Sequence, residues 1–192
     1  MSRERGRPRV ATTDTEVLQA TRELLVEVGY ERLSYELVAQ RAGVTRPTIY
    51  RRWPSKALLV YDAAFPADDI RPISDSGDFR RDVLRLVEAA VRSYSRPETR
   101  AALPGLLPLF SPGSELREHA RDPLEAAARG QFRAVVSGAV ARGETPASTD
   151  PDLLFDVLVG AVVFHLVFRG GDRPDLAAAI VDLVLGVDGN QH

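Results

Sequence analysis

Hydrophobic positions recur at helical spacing along this chain, and no stretch alternates with the period of two that marks a half-buried strand. Val17, Leu18, Thr21, Leu24, Leu25 and Val28 share one face of a first helix. The capping box Thr13-Asp14-Thr15-Glu16 opens it and Gly29 stops it. Ser34 is placed to cap a short helix over 35–42, and Gly43 to end it where positive φ is favoured. Thr45 caps a third helix, with Pro47 in its first turn, where a missing N–H does no harm. A fourth runs from Ser55 to Ala64, and residues 67–77 read as a linker. Beyond it the pattern predicts helices over 78–95, 97–110, 114–142, 150–169 and 174–185. Pro104 is expected to kink or end the second of these, and Pro123 to break the third. The sum is an all-α chain of about nine helices.

Residues 34–56 carry the chemistry. Ala39 is small enough to let the next helix approach, and Val38, Val44 and Ile49 close a small core. Arg46, Thr48, Tyr50 and Arg51 are left facing outward. These are hydrogen-bond donors and an aromatic, the side chains that meet base edges and phosphates. The segment therefore reads as a helix-turn-helix whose second helix is built to enter a DNA major groove.

Charge agrees with that placement. Residues 1–60 hold 11 Lys+Arg against 7 Asp+Glu, whereas residues 61–192 hold 14 against 20. A nucleic-acid surface belongs on the first part and is disfavoured on the second. The chain has no cysteine, which excludes disulfides and thiolate metal sites. Its start is polar, and its longest strongly apolar stretch, 157–164, falls well short of the roughly 20 residues that span a bilayer. A cytoplasmic protein with no membrane partner is expected.

The 34–56 segment resembles the DNA-binding domain of the TetR family of bacterial repressors. The pattern continues through Tyr50-Arg51-Arg52-Trp53-Pro54-Ser55-Lys56-Ala57-Leu58-Leu59, an aromatic pair, a short turn and a Lys that opens the fourth helix. The match is specific over residues 12–60; residues 70–192 match only in length and helical texture. The resemblance implies a flexible basic arm over 1–12 and a three-helix helix-turn-helix DNA-binding domain over 13–65. A helical ligand-binding and dimerisation domain would follow over 66–192. It further implies a one-component transcriptional regulator, a repressor, bound as a homodimer to a pseudo-palindromic operator and released by a small, mostly apolar effector. Thr45, Arg46, Pro47, Thr48, Tyr50 and Arg51 would touch DNA, and Lys56 would donate to a phosphate. The arm Arg5-Gly6-Arg7-Pro8-Arg9 looks like an AT-hook core, whose Arg5 and Arg7 would enter an A·T minor groove.

The helix expected over 150–169 is apolar nearly all round and must be covered on two sides. The last helix offers a second apolar stripe. By the family resemblance the two helices pair with their copies in a four-helix bundle, which assigns Leu154, Leu158, His165, Ile180, Leu183 and Val184 to a dimer interface. Tyr94, Leu106, Leu107, Phe110, Phe132, Val136, Phe164 and Phe168 are pocket candidates because they are large and apolar, with a plain core as the competing reading. No nucleophile with a base, phosphate loop or His and carboxylate set with metal spacing is present, so no enzyme, cofactor or metal is expected. A ligand-sequestering or protein-binding module with a vestigial DNA head is the alternative, and the basic head argues against it.

Overall fold

The structure is a computed structural model that describes residues 8–66, 75–107, 111, 114, 122–171 and 173–186. Among them are nine α-helices, one π-helical turn and no strand. The chain divides into two compact units.

The first unit contains α1 (Pro8–Arg32), α2 (Tyr35–Ala42), α3 (Arg46–Arg52), α4 (Lys56–Ala64) and α6 (Pro97–Leu106). α1 begins five residues before the expected capping box, so Pro8 and Arg9 are helical rather than part of an arm. Arg5 and Arg7 lie outside the described residues. Gly29 breaks α1 with φ 75° and ψ 171°, and Leu33 N closes the next turn on Gly29 O at 3.2 Å. α1 packs against α2, α4 and α6, burying Val17, Leu24 and Leu25. The sequence reading put α6 with the C-terminal part, but it buries Ala102, Leu103 and Leu106 and packs on α1 and α4. Thr99 Oγ1 donates to Ala64 O at 3.1 Å, which satisfies a carbonyl at the end of α4. At Gly105 the Tyr30 ring occupies the space that a Cβ would need. Pro104 stays exposed within α6 without ending it.

The second unit contains α5 (Phe79–Ser95), α7 (Asp122–Arg142), α8 (Pro151–Val163), a π turn (Phe164–Phe168) and α9 (Leu176–Leu185). Asp78 caps α5 by accepting from Arg81 N, and Asp150 caps α8 by accepting from Asp152 N and Leu153 N. Ser114 is not helical, α7 is described from Asp122 with Pro123 as its second described residue, and the expected break near Pro123 borders residues 115–121, which lie outside the described residues. The core joins Phe79, Val83, Leu86 and Val87 of α5 to Phe132, Val135 and Val136 of α7, Phe155, Leu158 and Val162 of α8, and Ile180 and Val181 of α9.

α8 does not continue as a regular helix to Arg169. Arg169 N reaches back five residues to Phe164 O at 3.2 Å, the bond of a π turn. Pro151–Phe168 is an 18-residue helical run of mean hydropathy 1.9, long and apolar enough to cross a membrane. The expectation that no such stretch exists is corrected: Asp152, Asp156 and Gly160 interrupt the apolar run without ending the helix. The run's inner face of Phe155, Leu158, Val162 and Leu166 belongs to the unit's core.

Candidate nucleic-acid interface

The helix-turn-helix is built locally. Ser34 Oγ accepts from Leu37 N at 3.3 Å at the start of α2. Gly43 turns the chain in the left-handed region, φ 67° and ψ 29°, which favours glycine, and Val44 N then donates to Ala39 O at 3.0 Å. Val38 and Ile49 are fully buried and Ala39 nearly so, while Val44 is half-buried at the corner. Thr45 occupies the cap position of α3, but its hydroxyl accepts from no backbone N–H. It shares a hydrogen bond with the Thr48 hydroxyl at 2.9 Å instead.

Two aromatics lock α3 from behind. The Tyr35 ring stacks on Tyr50 with centroids 4.1 Å apart, and its hydroxyl donates to Trp53 O at 2.8 Å. Burial, with Tyr50 and Tyr30 nearby, pushes the Tyr35 phenol up to about 12, so it remains a donor at neutral pH. Trp53 is buried, and Nε1 donates to Asp62 on α4 at 2.8 Å. The sequence offered no sign of Tyr35 as a support, because its position in the first turn of α2 fits a solvent-facing residue equally well.

The arginines sort by partner. Arg41 Nη2 pairs with Glu27 at 2.7 Å and its Nη1 with Glu23 at 3.3 Å, and Arg52 pairs with Asp14. Both are thereby tied to α1. Arg46 Nη1 lies 2.6 Å from Glu36 Oε1, and its guanidinium carbon lies 5.9 Å from the Tyr50 ring centre. Among the described residues Arg51 has no ion-pair partner. The outward face of α3 thus presents Arg46, Pro47, Tyr50 and Arg51, with Thr48 half-buried beside them.

Lys56 Nζ donates to Leu33 O at 3.0 Å and Glu31 O at 3.3 Å, and it sits 4.3 Å from the Tyr30 ring centre. Two of its three donors are therefore used to satisfy carbonyls at the end of α1. It is the only lysine of the chain. A compact ammonium suits this convergence of two carbonyls and a ring face, where a guanidinium fork does not.

The expected pocket residues are divided between the two units. Phe132 and Val136 are buried in the second unit's core, Tyr94 packs half-buried at its edge, and Phe164 and Phe168 stack on each other in solvent. Leu106 is buried in the first unit and Leu107 is exposed there. Phe110 lies outside the described residues. Within the second unit an open groove of about 380 Å³ runs between α5 and the start of α9, lined by Leu84, Glu88, Val91, Arg92, Pro174 and Ala178. It is mixed in polarity rather than an apolar cavity.

The expected dimer face is corrected in part. Leu158 is fully buried and Ile180 is 7% exposed, both within their own core, so they are closed to a partner. Leu154, His165 and Val184 are half-buried and Leu183 is 86% exposed. The outer stripe of α8 and the π turn is Leu153, Val157, Phe164 and Phe168. A nearly all-apolar helix hides which side its own core takes, and only packing decides it. The His165 Nε2 is shielded without a hydrogen-bond partner among the described residues.

The bacterial regulatory protein profile of the tetR family matches residues 17–62, and a tetracyclin repressor-like C-terminal domain profile matches residues 73–184. An uncharacterised HTH-type transcriptional regulator of Mycobacterium tuberculosis is 33% identical over 90% of this chain and 85% of its own length. The DNA-binding transcriptional repressor TetR of Mycobacteroides abscessus is 32% identical over 91% of this chain and 92% of its own length. The crystal structure of the TetR family regulator SCO0332 superposes with a TM-score of 0.66 at 31% identity, covering 91% of this chain and 98% of that one. FadR from Bacillus subtilis, in complex with stearoyl-CoA, shares the fold with a TM-score of 0.69 at 17% identity, over 90% and 98% of the two chains. With its helix-turn-helix and both domains matched, the chain belongs to the TetR family of DNA-binding transcriptional regulators.

Proposed function

We propose that this chain represses transcription as a homodimer whose α3 helices read a pseudo-palindromic operator, and that a small ligand bound in the second unit releases it. The observation that carries the reading is the outward face of α3. Arg46, Tyr50 and Arg51 stand exposed on a helix locked by Val38, Ile49, Tyr35 and Trp53. Arg46 contacts a base edge, Arg51 and the third Lys56 donor contact phosphates, and Thr45, Pro47 and Thr48 line the helix start against the backbone. Arg5 and Arg7 add minor-groove contacts. The repressor from Mycobacteroides abscessus supports repression over activation.

Dimerisation rests on the apolar outer stripe of α8, the π turn and Leu183, a surface that a soluble monomer rarely leaves uncovered. Two half-sites about one DNA turn apart follow from two-fold symmetry. The ligand must bind the DNA-incompetent state better to shift the equilibrium, however tightly it binds. FadR's stearoyl-CoA supports an apolar effector only by analogy of fold. Incubating the full chain with a randomised duplex pool tests the reading. Enrichment of a two-fold-related sequence supports it; recovery of no motif at low salt contradicts it.

A further inference from the structure

Glu36 stands where an anion is costly. It occupies the first turn of α2, more than half exposed, beside the helix that meets DNA. A carboxylate on that face repels phosphates whatever the sequence. Its own backbone N–H, Arg46 and the Ser34 hydroxyl keep the carboxyl below its ordinary range, and Ser34 is itself fixed as the cap of α2. This exposed carboxylate takes Arg46 Nη1 at 2.6 Å. On the other side the guanidinium meets Tyr50, which is stacked on Tyr35. Nε and Nη2 of Arg46 have no partner among the described residues. Those two donors form one edge of a planar fork, the edge that matches O6 and N7 of a guanine.

We infer that Glu36 is a specificity-determining residue: it sets the pose in which Arg46 reads one base and lowers affinity for every duplex that lacks that base. The inference rests on the reading of α3 as the base-contacting helix. Specificity is a difference of affinities, and a fixed repulsive group raises it when the correct site alone compensates. Glu36 acts through Arg46 and through charge, so its removal has a signature distinct from unfolding.

The test uses the full chain with a randomised duplex pool and one scrambled duplex, comparing wild type, Glu36→Ala, Glu36→Gln, Arg46→Ala and the double variant Glu36→Ala/Arg46→Ala, with a thermal melt of each. Glu36→Ala is expected to lose about tenfold preference at the same base in each half-site that Arg46→Ala relaxes. It should bind the scrambled duplex at least as tightly as wild type does. Glu36→Gln, which keeps the shape and loses the charge, should fall between. The double variant should relax that base no further than Arg46→Ala alone. If Arg46→Ala relaxes a base and Glu36→Ala does not, the inference is overturned while the reading of α3 stands. If Arg46→Ala relaxes no base, the reading itself fails. A Glu36→Ala chain that melts lower and loses both duplexes equally has a structural role only, and this too overturns the inference.

Discussion

Trp53 donates its indole N–H to Asp62 across 2.8 Å, and this one bond ties the end of the recognition helix to α4. Trp53 is buried, so its donor has no solvent to fall back on. Burial raises the Asp62 carboxyl above its ordinary value, and the indole N–H opposes the rise. A raised carboxylate favours folding fully below its unfolded value of 3.8, and that favour is lost as pH rises through the folded value. At neutral pH the charge is therefore a small burden, kept small because the residue's outer side faces solvent.

Asp62→Ala is expected to lower stability by about 1–3 kcal/mol, because the indole N–H loses its acceptor. Asp62→Asn keeps an acceptor and should melt at or above wild type at pH 7. The difference between Asn variant and wild type should shrink as pH falls through the folded value of Asp62. Thermal melts across acidic to neutral pH check this; a difference that widens on acidification contradicts the raised carboxyl.

Gly105→Ala is expected to cost about 1–3 kcal/mol, because the new methyl overlaps the Tyr30 ring. Tyr30→Ala should relieve that overlap, so the two substitutions together should cost less than their sum. Urea unfolding of the two single variants and the double variant measures the coupling. Fully additive costs would remove the packing of α6 on α1 as the reason for the glycine.

Leu183→Asp is expected to convert the proposed homodimer to a monomer without disturbing the core of its own unit, since the side chain is open to solvent in the single chain. Leu158→Asp makes a poor comparison, for it places a charge in the core of its own unit. Sedimentation of Leu183→Asp at micromolar concentration decides; a retained dimer moves the interface elsewhere.

Much of the first unit was legible because its punctuation is local. Ser34 and Gly43 each act within a few residues of themselves, and the structure finds them in those roles. The supports of α3 were not legible, because Tyr35 to Trp53 and Trp53 to Asp62 are bonds between separate elements, without a periodic signature. The same limit hid the packing of α6 on α1 and α4, which Thr99 and Gly105 make only when they meet α4 and α1. It also hid the inward turn of Leu158 and Ile180 on helices whose apolar residues spread over most of their surface. The family resemblance gave Lys56 as a phosphate donor, and the two donors that it spends on the end of α1 had no local signal.

The reading of α3 is tested most directly by the affinity of Arg46→Ala/Arg51→Ala and of wild type for a duplex selected by the wild-type chain, against a scrambled duplex, across salt. The double variant is expected to keep its melting temperature, since both side chains are exposed. Its preference for the selected duplex should collapse, and its salt slope should become shallower by about 0.9 for each phosphate it no longer neutralises. An unchanged preference and an unchanged salt slope would place the DNA-reading surface somewhere other than α3.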